Sequence, residues 1–493
     1  MDSRSVRPGD LFAIIRGRRA DGRAFVEQAI ARGAVAVCDT AAFDGHPTLI
    51  VRDPRTALAS LAAAVNGYPS RALRLIGVTG TLGKTSTVML LEAALAATGM
   101  APGVIGSLGV RMLGRVSDTG MTTPEAPTIH KALRRMVDAG LDTAVVEVTS
   151  HAIKFGRVAE LTFALGIFTN LVPDEHLEFH RTPEDYVRTK LRFLDMLAPG
   201  APLVINADDE LVRGAATTLA RPVIGVTARG APADVSIERL RWDADGSSFV
   251  LRVSREIPGL AGRAVGPIDL PLVIPLFGVQ QVMNAALAST AALVAGAPER
   301  AIASTIRGVE PIRRRMEIIH PERPLVIDDT VGNPRSLRAV FRSLRAVDAP
   351  TMTVLFGIRG SRGLTINRGL ARALADLLRG RPATLIVTAA EGSATAKDRV
   401  VEAERDCFLG VLDEAGIAYR YEPRLDAAVE RAVGAAGDGV LLVLGAGGMD
   451  GGAGMVREAI RARTSGSADG SGGTLDVRGQ RSDVRGAPGP ARL

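Results

Sequence analysis

The chain predicts an α/β protein whose parallel sheets are spread over more than one domain. Apolar runs at residues 75–78, 144–148, 163–168 and 440–444 lack strict polar alternation, as strands buried on both faces do. These runs take turns with segments of helical periodicity, such as residues 129–139 and 368–378, which is the pattern of crossover connections. With 493 residues, the chain exceeds one core, and domains of roughly 100–200 residues make it two to four.

Residues 1–70 alternate strand-like runs at 11–15, 34–38 and 48–51 with a helix around 25–32, and are expected to form a small α/β domain. Residues 71–307 carry the runs at 75–78, 144–148, 163–168, 203–205 and 223–226, separated by helical patterns at 129–139 and 183–197. They are expected to form a central nucleotide-binding domain whose strand C-termini hold the ligand. Residues 308–464 repeat the alternation, with strands at 325–327, 353–356, 385–387 and 440–444 and helices at 334–344, 368–378 and 399–415, as in a Rossmann-like doubly wound domain. Residues 465–493 are Gly-, Ser-, Asp- and Arg-rich and are expected to be a disordered tail.

The hydrophobic fraction of 46% and charged fraction of 23% are those of a folded globular protein. A net charge of +7 over so long a chain, without basic blocks or interleaved aromatics, argues against nucleic acid and is compatible with an anionic small-molecule substrate. Cys38 and Cys407 form no metal or redox spacing, as expected in a reducing cytoplasm. No signal peptide is seen and no apolar run reaches the ~18 residues that span a bilayer.

The central feature is Thr79-Gly80-Thr81-Leu82-Gly83-Lys84-Thr85-Ser86, between the 75–78 strand and a helix marked by Val88, Leu91 and Leu95. Glycines 80 and 83 let backbone N–H groups approach an anion, and the helix N-terminus adds partial positive charge. Lys84 can reach outer phosphates and the Thr85 hydroxyl can ligate Mg²⁺. A strict phosphate-loop pattern would place glycine at 78, where the chain has Val78.

Downstream, Glu147-Val148-Thr149-Ser150-His151 ends one expected strand, and the stretch from Thr169 to His180 ends the next. Three of six histidines fall between 151 and 180. Glu147 and His176 delivered to the same rim as Thr85 would suit a divalent metal beside the phosphates, while either one alone reads equally well as a solvated loop residue. Lys190 lies on an expected helix in a chain with only five lysines; an amine, unlike a guanidinium, can lose its proton and be carbamylated, although a plain surface lysine reads as well.

These motifs together resemble the Mur ligases, in particular the branch that extends the UDP-N-acetylmuramoyl dipeptide. Asp2-Ser3-Arg4, Pro8-Gly9-Asp10-Leu11-Phe12 and Asp21-Gly22 resemble that branch's uridine-binding start. Thr79 to Thr85 resembles its TGTNGKT loop, with Leu82 for Asn, and Thr122-Thr123-Pro124 its TTP. Glu147 to His151 is similar to E-V-S-S-H, and Asn170 with His176 to His180 to N-L and H-L-D-x-H, with one residue more between Asn170 and His176. Gly278 to Asn284 is similar to G-x-H-N-x-x-N, Arg315-Met316-Glu317 to G-R-M-E with Arg314 for Gly, and Asp329 to Leu337 to D-Y-A-H-N-P-x-S-L with Gly332 for His. The third domain departs most. Gly357 to Gly363 stands for G-x-G-x-R-D, Gly445 to Met449 for G-K-G-H-E, and Ala389-Ala390-Glu391-Gly392 stands where the diaminopimelate-adding enzymes carry D-N-P-R.

The resemblance implies a three-domain, ATP-dependent amide ligase working through an acyl phosphate in peptidoglycan precursor synthesis. It implies catalytic roles for Lys84, Glu147, His176 and Lys190, and nucleotide contacts from Gly80, Thr81, Gly83, Lys84, Thr85, Ser86, Asn284, Arg315 and Asp329. It further implies substrate contacts from Ser3, Thr122, Thr123, Ser150, His151 and Arg157. Two Mg²⁺ ions would be held by Thr85 with Glu147 and by His176 with carbamylated Lys190. The expected partners are a UDP-linked muramoyl peptide and an amino acid, with no nucleic acid and no membrane, and the expected form is a cytoplasmic monomer. Two alternatives follow from the altered third domain: the same chemistry on another carboxylate and amine, or a nucleotide-binding regulator without ligase activity.

Overall fold

A computed structural model of the chain describes residues 1–468 except 18–20, 97, 100, 174, 176–178 and 348. His176, and the expected tail from residue 469 onward, lie outside the described residues. The tail expectation is corrected at its start, because helix structure continues through Ala468.

Strands β1 (Leu11–Ala13), β2 (Ala36–Asp39) and β3 (Thr48–Ile50) form a small parallel sheet, with α1 (Val26–Ala31) between the first two. Helix α2 (Pro54–Val65) follows; Asp53 caps it by accepting from the amides of Arg55 and Thr56, and Pro54 fits its first turn. Next come β4 (Arg74–Thr79), α3 (Lys84–Ala96), β5 (Gly103–Gly106), β6 (Gly109–Met112), β7 (Arg115–Ser117), α4 (Ala126–Asp138), β8 (Thr143–Glu147), α5 (Ser150–Lys154), β9 (Leu165–Phe168), α6 (Pro183–Leu191), β10 (Leu203–Asn206), α7 (Glu210–Ala216) and β11 (Val223–Thr227). The segment expected to be one helix over 183–197 divides at Leu191, after which Arg192–Met196 tightens into a 3-10 turn.

Residues 235–274 hold strands that the sequence reading names nowhere: β12 (Val235–Asp243), β13 (Gly246–Val253), the short ribbon β14 (Ile257–Pro258) with β15 (Ala264–Val265), and β16 (Ile268–Ile274). Their signal is period two, with Phe249, Leu251 and Val253 buried while their neighbours are not, rather than the continuous runs used to find the parallel strands. Helices α8 (Val279–Ala295) and α9 (Glu299–Arg307) lead to β17 (Arg315–His320), β18 (Leu325–Asp329), α10 (Pro334–Ser343), β19 (Met352–Gly357), α11 (Leu364–Leu378), β20 (Ala383–Thr388), α12 (Glu402–Glu414), β21 (Arg420–Tyr421), α13 (Leu425–Ala436), β22 (Val440–Leu444) and α14 (Gly452–Ala468).

The chain divides into two compact units, one made of residues 1–235, 253–267 and 287–305, the other of 236–252, 268–286 and 306 onward. In the first, the strand order is β11-β10-β9-β4-β8-β5-β6-β7, with β4 parallel to both β8 and β9 at its centre. The register pairs Val78 with Glu147 and Thr79 with Phe168, so three strands end together at one rim. Gly77 makes this centre possible, since a Cβ there would sit 2.6 Å from the Phe193 ring. In the second unit the order is β17-β18-β22-β19-β20-β21, parallel except for the antiparallel edge strand β17. Among the described residues no helix is long and apolar enough to cross a membrane.

Candidate active site

The loop after β4 starts at Gly80, whose φ of +145° and neighbour Thr169 both demand glycine: a Cβ would fall 1.9 Å from Thr169 Oγ1. Asn170, at the end of the neighbouring strand, clamps the loop. Its Oδ1 accepts from the Leu82 amide at 2.9 Å and its Nδ2 donates to the Leu82 carbonyl at 3.0 Å, while its own carbonyl accepts from Thr81 N. Because these bonds use the backbone of residue 82, leucine replaces the family's asparagine there without loosening the turn. Gly83, at φ +82°, then lets α3 begin at Lys84. The amides of its first turn have no intrahelical acceptor, and the helix dipole favours an anion there.

Lys84 Nζ donates to the carbonyls of Gly80 at 2.8 Å and Thr81 at 2.9 Å. Lys190 Nζ, from α6, donates to the same Gly80 carbonyl at 2.9 Å. Lys190 is fully buried, and desolvation holds its ammonium well below the usual lysine range; Lys84 adds to this and Glu175 opposes it. The plain surface lysine is thereby excluded. Tyr186, one turn earlier, hydrogen-bonds Thr81 Oγ1 at 2.8 Å and joins α6 to the loop. Ser86 is buried on α3 behind Thr85.

Glu147 is buried at the end of β8. Its Oε1 accepts from the Ser107 amide at 2.8 Å, and its Oε2 accepts from Thr85 Oγ1 at 3.1 Å. Gly106 leaves room for this carboxylate, since a Cβ would lie 2.4 Å from Oε1. Two oxygen donors about one octahedral edge apart suit a small hard cation such as Mg²⁺, whose ligands stand at ~2.0–2.1 Å. Among the described residues no set of three His, Cys, Asp or Glu forms a metal cluster, so any cation here also needs hydroxyl, water or phosphate oxygens.

Beside this rim lie the expected substrate residues. Thr123 Oγ1 donates to the Glu147 carbonyl at 2.6 Å, and Thr122 Oγ1 accepts from Ser107 Oγ at 3.0 Å. Ser150 opens α5 with its buried Oγ lacking a hydrogen-bond partner, and His151 packs edge-on against Phe179 with centroids 4.2 Å apart. Arg157 Nη1 donates to the Thr123 carbonyl at 3.0 Å and pairs with Glu125 at 2.8 Å. Ser3 is buried in the N-terminal segment, hydrogen-bonded to Gln28. The structure thus brings together Gly80, Thr81, Gly83, Lys84, Thr85, Glu147, Lys190, Thr122 and Thr123. Ser107, Asn170 and Tyr186 complete the arrangement; the sequence assigns none of them a role, and Asn170 stands there only as a match to the family's N-L. Asn170 is legible there as the polar residue ending a buried strand; Ser107 acts through both its amide and its hydroxyl, and a lone serine after a strand leaves no signal.

Asn284, Arg315 and Asp329 form a separate group in the second unit. Asn284 Nδ2 donates to Gln281 Oε1, whose side chain donates to the Arg315 carbonyl at 2.8 Å, and Asp329 Oδ2 accepts from the Met316 amide at 2.8 Å. Burial pushes the Asp329 carboxyl up to about 6, and its neighbour Asp328 likewise to about 6.

Residues 1–66 match the model described as Mur ligase family, catalytic domain, residues 78–292 the Mur ligase middle domain, and residues 314–447 the Mur ligase, glutamate ligase domain. A UDP-N-acetylmuramyl-tripeptide synthetase of Roseiflexus sp. (strain RS-1) is 38% identical over 384 residues, covering 73% of this chain and 72% of that protein. A UDP-N-acetylmuramoyl-L-alanyl-D-glutamate--2,6-diaminopimelate ligase of Chlorobaculum tepidum is 36% identical over 461 residues, covering 90% of this chain and 86% of that one. The fold is shared with a MurF ligase from Thermotoga maritima solved in complex with ADP, with TM-score 0.66 and 16% identity over 95% of this chain and 97% of that one. With phosphate loop, buried glutamate and buried lysine on one rim, and relatives of this identity over most of its length, the chain belongs to the Mur ligase family.

Proposed function

We propose that the chain is an ATP-dependent ligase that joins the amine of an amino acid to a carboxylate of a UDP-linked muramoyl peptide, through an acyl phosphate, in peptidoglycan precursor synthesis. The observation that carries this reading is the convergence of Lys84, Lys190, Thr85 and Glu147 on the loop after β4. A carboxylate and a triphosphate are both anionic and react only where their charges are screened. Lys84 and the first-turn amides of α3 would bind the β- and γ-phosphates. When bound, Mg²⁺ would supply further screening of the phosphate charge, with Thr85 and Glu147 as its protein ligands. Lys190, buried and with its amine biased toward the neutral form that takes up CO₂, is the candidate for carbamylation, and with His176 for a second ion. Gly80, Thr81, Gly83, Ser86, Asn284, Arg315 and Asp329 are assigned to nucleotide contacts. Thr122, Thr123, Ser150, His151, Arg157 and Ser3 are assigned to the muramoyl substrate.

The domain division at about residues 70 and 307, a monomeric state and a cytoplasmic location are parts of the same proposal. Phosphate release from ATP, measured with UDP-muramoyl dipeptide and a panel of amino acids, tests it. Release that requires both substrates supports the reading, and release with neither or with unrelated carboxylates overturns the substrate assignment. A second reading, the same chemistry on a different amine, is favoured by Ala389-Ala390-Glu391-Gly392, where Ala390 Cβ lies 3.0 Å from the place a Cβ on Gly448 would take. Ala390 and Ala394 make the surround of Gly448 small, and the D-N-P-R of the diaminopimelate-adding enzymes is absent from it.

A further inference from the structure

The carboxyl ends of β1, β2 and β3 deliver the N-terminus of α2, and its second residue, Arg55, stands over the Phe155 ring with Cζ 5.0 Å from the centroid. Arg157 approaches the same ring, its Cζ at 5.9 Å. Both arginines neighbour Glu125, Phe155 and Gly156. The two cations differ in how they are balanced. Arg157 is paired with Glu125 at 2.8 Å and bonded to the Thr123 carbonyl, yet its Nε–H is buried with no acceptor. The Arg55 guanidinium, among the described residues, forms no hydrogen bond and no close ion pair, and only the charge of the Asp53 carboxylate is near enough to be felt. The nearby Asp53 carboxylate is occupied by the cap of α2 and by Thr56 Oγ1 at 2.7 Å.

Of the two guanidinium groups near one ring, Arg55 has no ion pair and Arg157 keeps a buried N–H without an acceptor, an arrangement that an anion relieves. The position also favours one: parallel sheets bind ligands at their carboxyl edges, and a helix N-terminus attracts negative charge. We propose that Arg55, with Arg157, binds an anionic group of the substrate, the diphosphate or a peptide carboxylate, and so ties the N-terminal sheet to the residues that hold the muramoyl peptide. This rests on the proposed function and adds a substrate-positioning residue to it.

The test is calorimetric binding of UDP-muramoyl dipeptide, of UDP alone, of muramoyl dipeptide without the nucleotide, and of ADP, to wild type and to Arg55→Ala and Arg55→Lys. Arg55→Ala should weaken UDP-muramoyl dipeptide by roughly 10-fold or more and steepen no other affinity than that of the fragment carrying the anion, while ADP binding stays unchanged. Loss confined to UDP identifies the diphosphate, and loss confined to the nucleotide-free peptide identifies the carboxylate. Arg55→Lys should recover part of the affinity, since it keeps the charge and loses the planar fork. A merely structural role would lower the melting temperature and leave these affinities equal to wild type, and that result overturns the inference. If Arg55→Ala fails to fold, Arg55→Gln is read in its place. Wild type binding neither UDP-muramoyl dipeptide nor its fragments overturns the proposed function as well, whereas wild type binding with unchanged variants overturns the inference alone.

Discussion

The two units treat their glycine-rich loops in opposite ways. In the first, the 80–83 loop is held from behind, by Asn170 and Thr169 on backbone atoms of Leu82, and its lysine-bearing face is turned to the helix start where an anion can bind. In the second, the 357–363 loop is tied down by the protein itself. Buried Glu404 accepts from the amides of Ser361, Arg362 and Gly363 at 3.0, 2.8 and 2.7 Å, so those donors are already spent on a carboxylate. Arg359 donates to the Gly332 carbonyl and would lie 3.1 Å from a Cβ at 332, filling the space of the family's histidine.

Arg314 stands where the family carries glycine and keeps the left-handed backbone, φ +58°, that suits glycine. Its guanidinium offsets that strain by bonding Asp328, Asp450 and the Gly445 carbonyl. The difference teaches that departures from the family pattern are not uniform decay: around the 80–83 loop the geometry survives substitution, and where the third domain departs, arginines and a glutamate rebuild the packing.

The comparison breaks most sharply at Lys84. Lys84→Ala should lower ATP-dependent turnover by at least about 10²–10³-fold, measured by phosphate release, because the screening of the outer phosphates is lost. Normal turnover would mean the first unit's loop is as structural as the second's. Lys190→Ala should fall nearly as far and be partly restored by acetate or formate if a carbamate is the working group. Unimpaired rates in that variant would remove the second-ion assignment. Asn170→Ala leaves the Leu82 amide without its acceptor, and should raise the KM for ATP about tenfold while lowering stability by about 1–3 kcal/mol.

The smallest effect is expected in the second unit. Asp329 has a folded-state carboxyl near 6 against an ordinary 3.8, so folding favours its protonated form. The stability it contributes is present below about pH 4 and lost as pH rises to about 6, by on the order of 2–3 kcal/mol at most. Asp329→Asn should flatten that dependence in denaturant melts recorded from pH 4 to 7; an unchanged slope would mean that other groups set it.

Much of this molecule is legible in one sequence because its parallel strands are continuous apolar runs and its loop glycines have a single physical use. Gly80, Gly83, Lys84, Thr85 and Glu147 were recoverable for that reason, since backbone conformation and phosphate chemistry restrict those positions to few residue types. The antiparallel strands over 235–274 are harder to read, because alternation interrupted by isolated polar residues carries a weaker local signal than a continuous apolar run. What only tertiary structure decided were relations between distant segments. Lys190 reaches the Gly80 carbonyl across 110 residues, Ser107 orients Glu147 through a backbone amide, and Arg55 meets Arg157 on one phenylalanine ring. Local chemistry limits what a residue can do, but the sheet register and helix packing determine which partners come within reach of it.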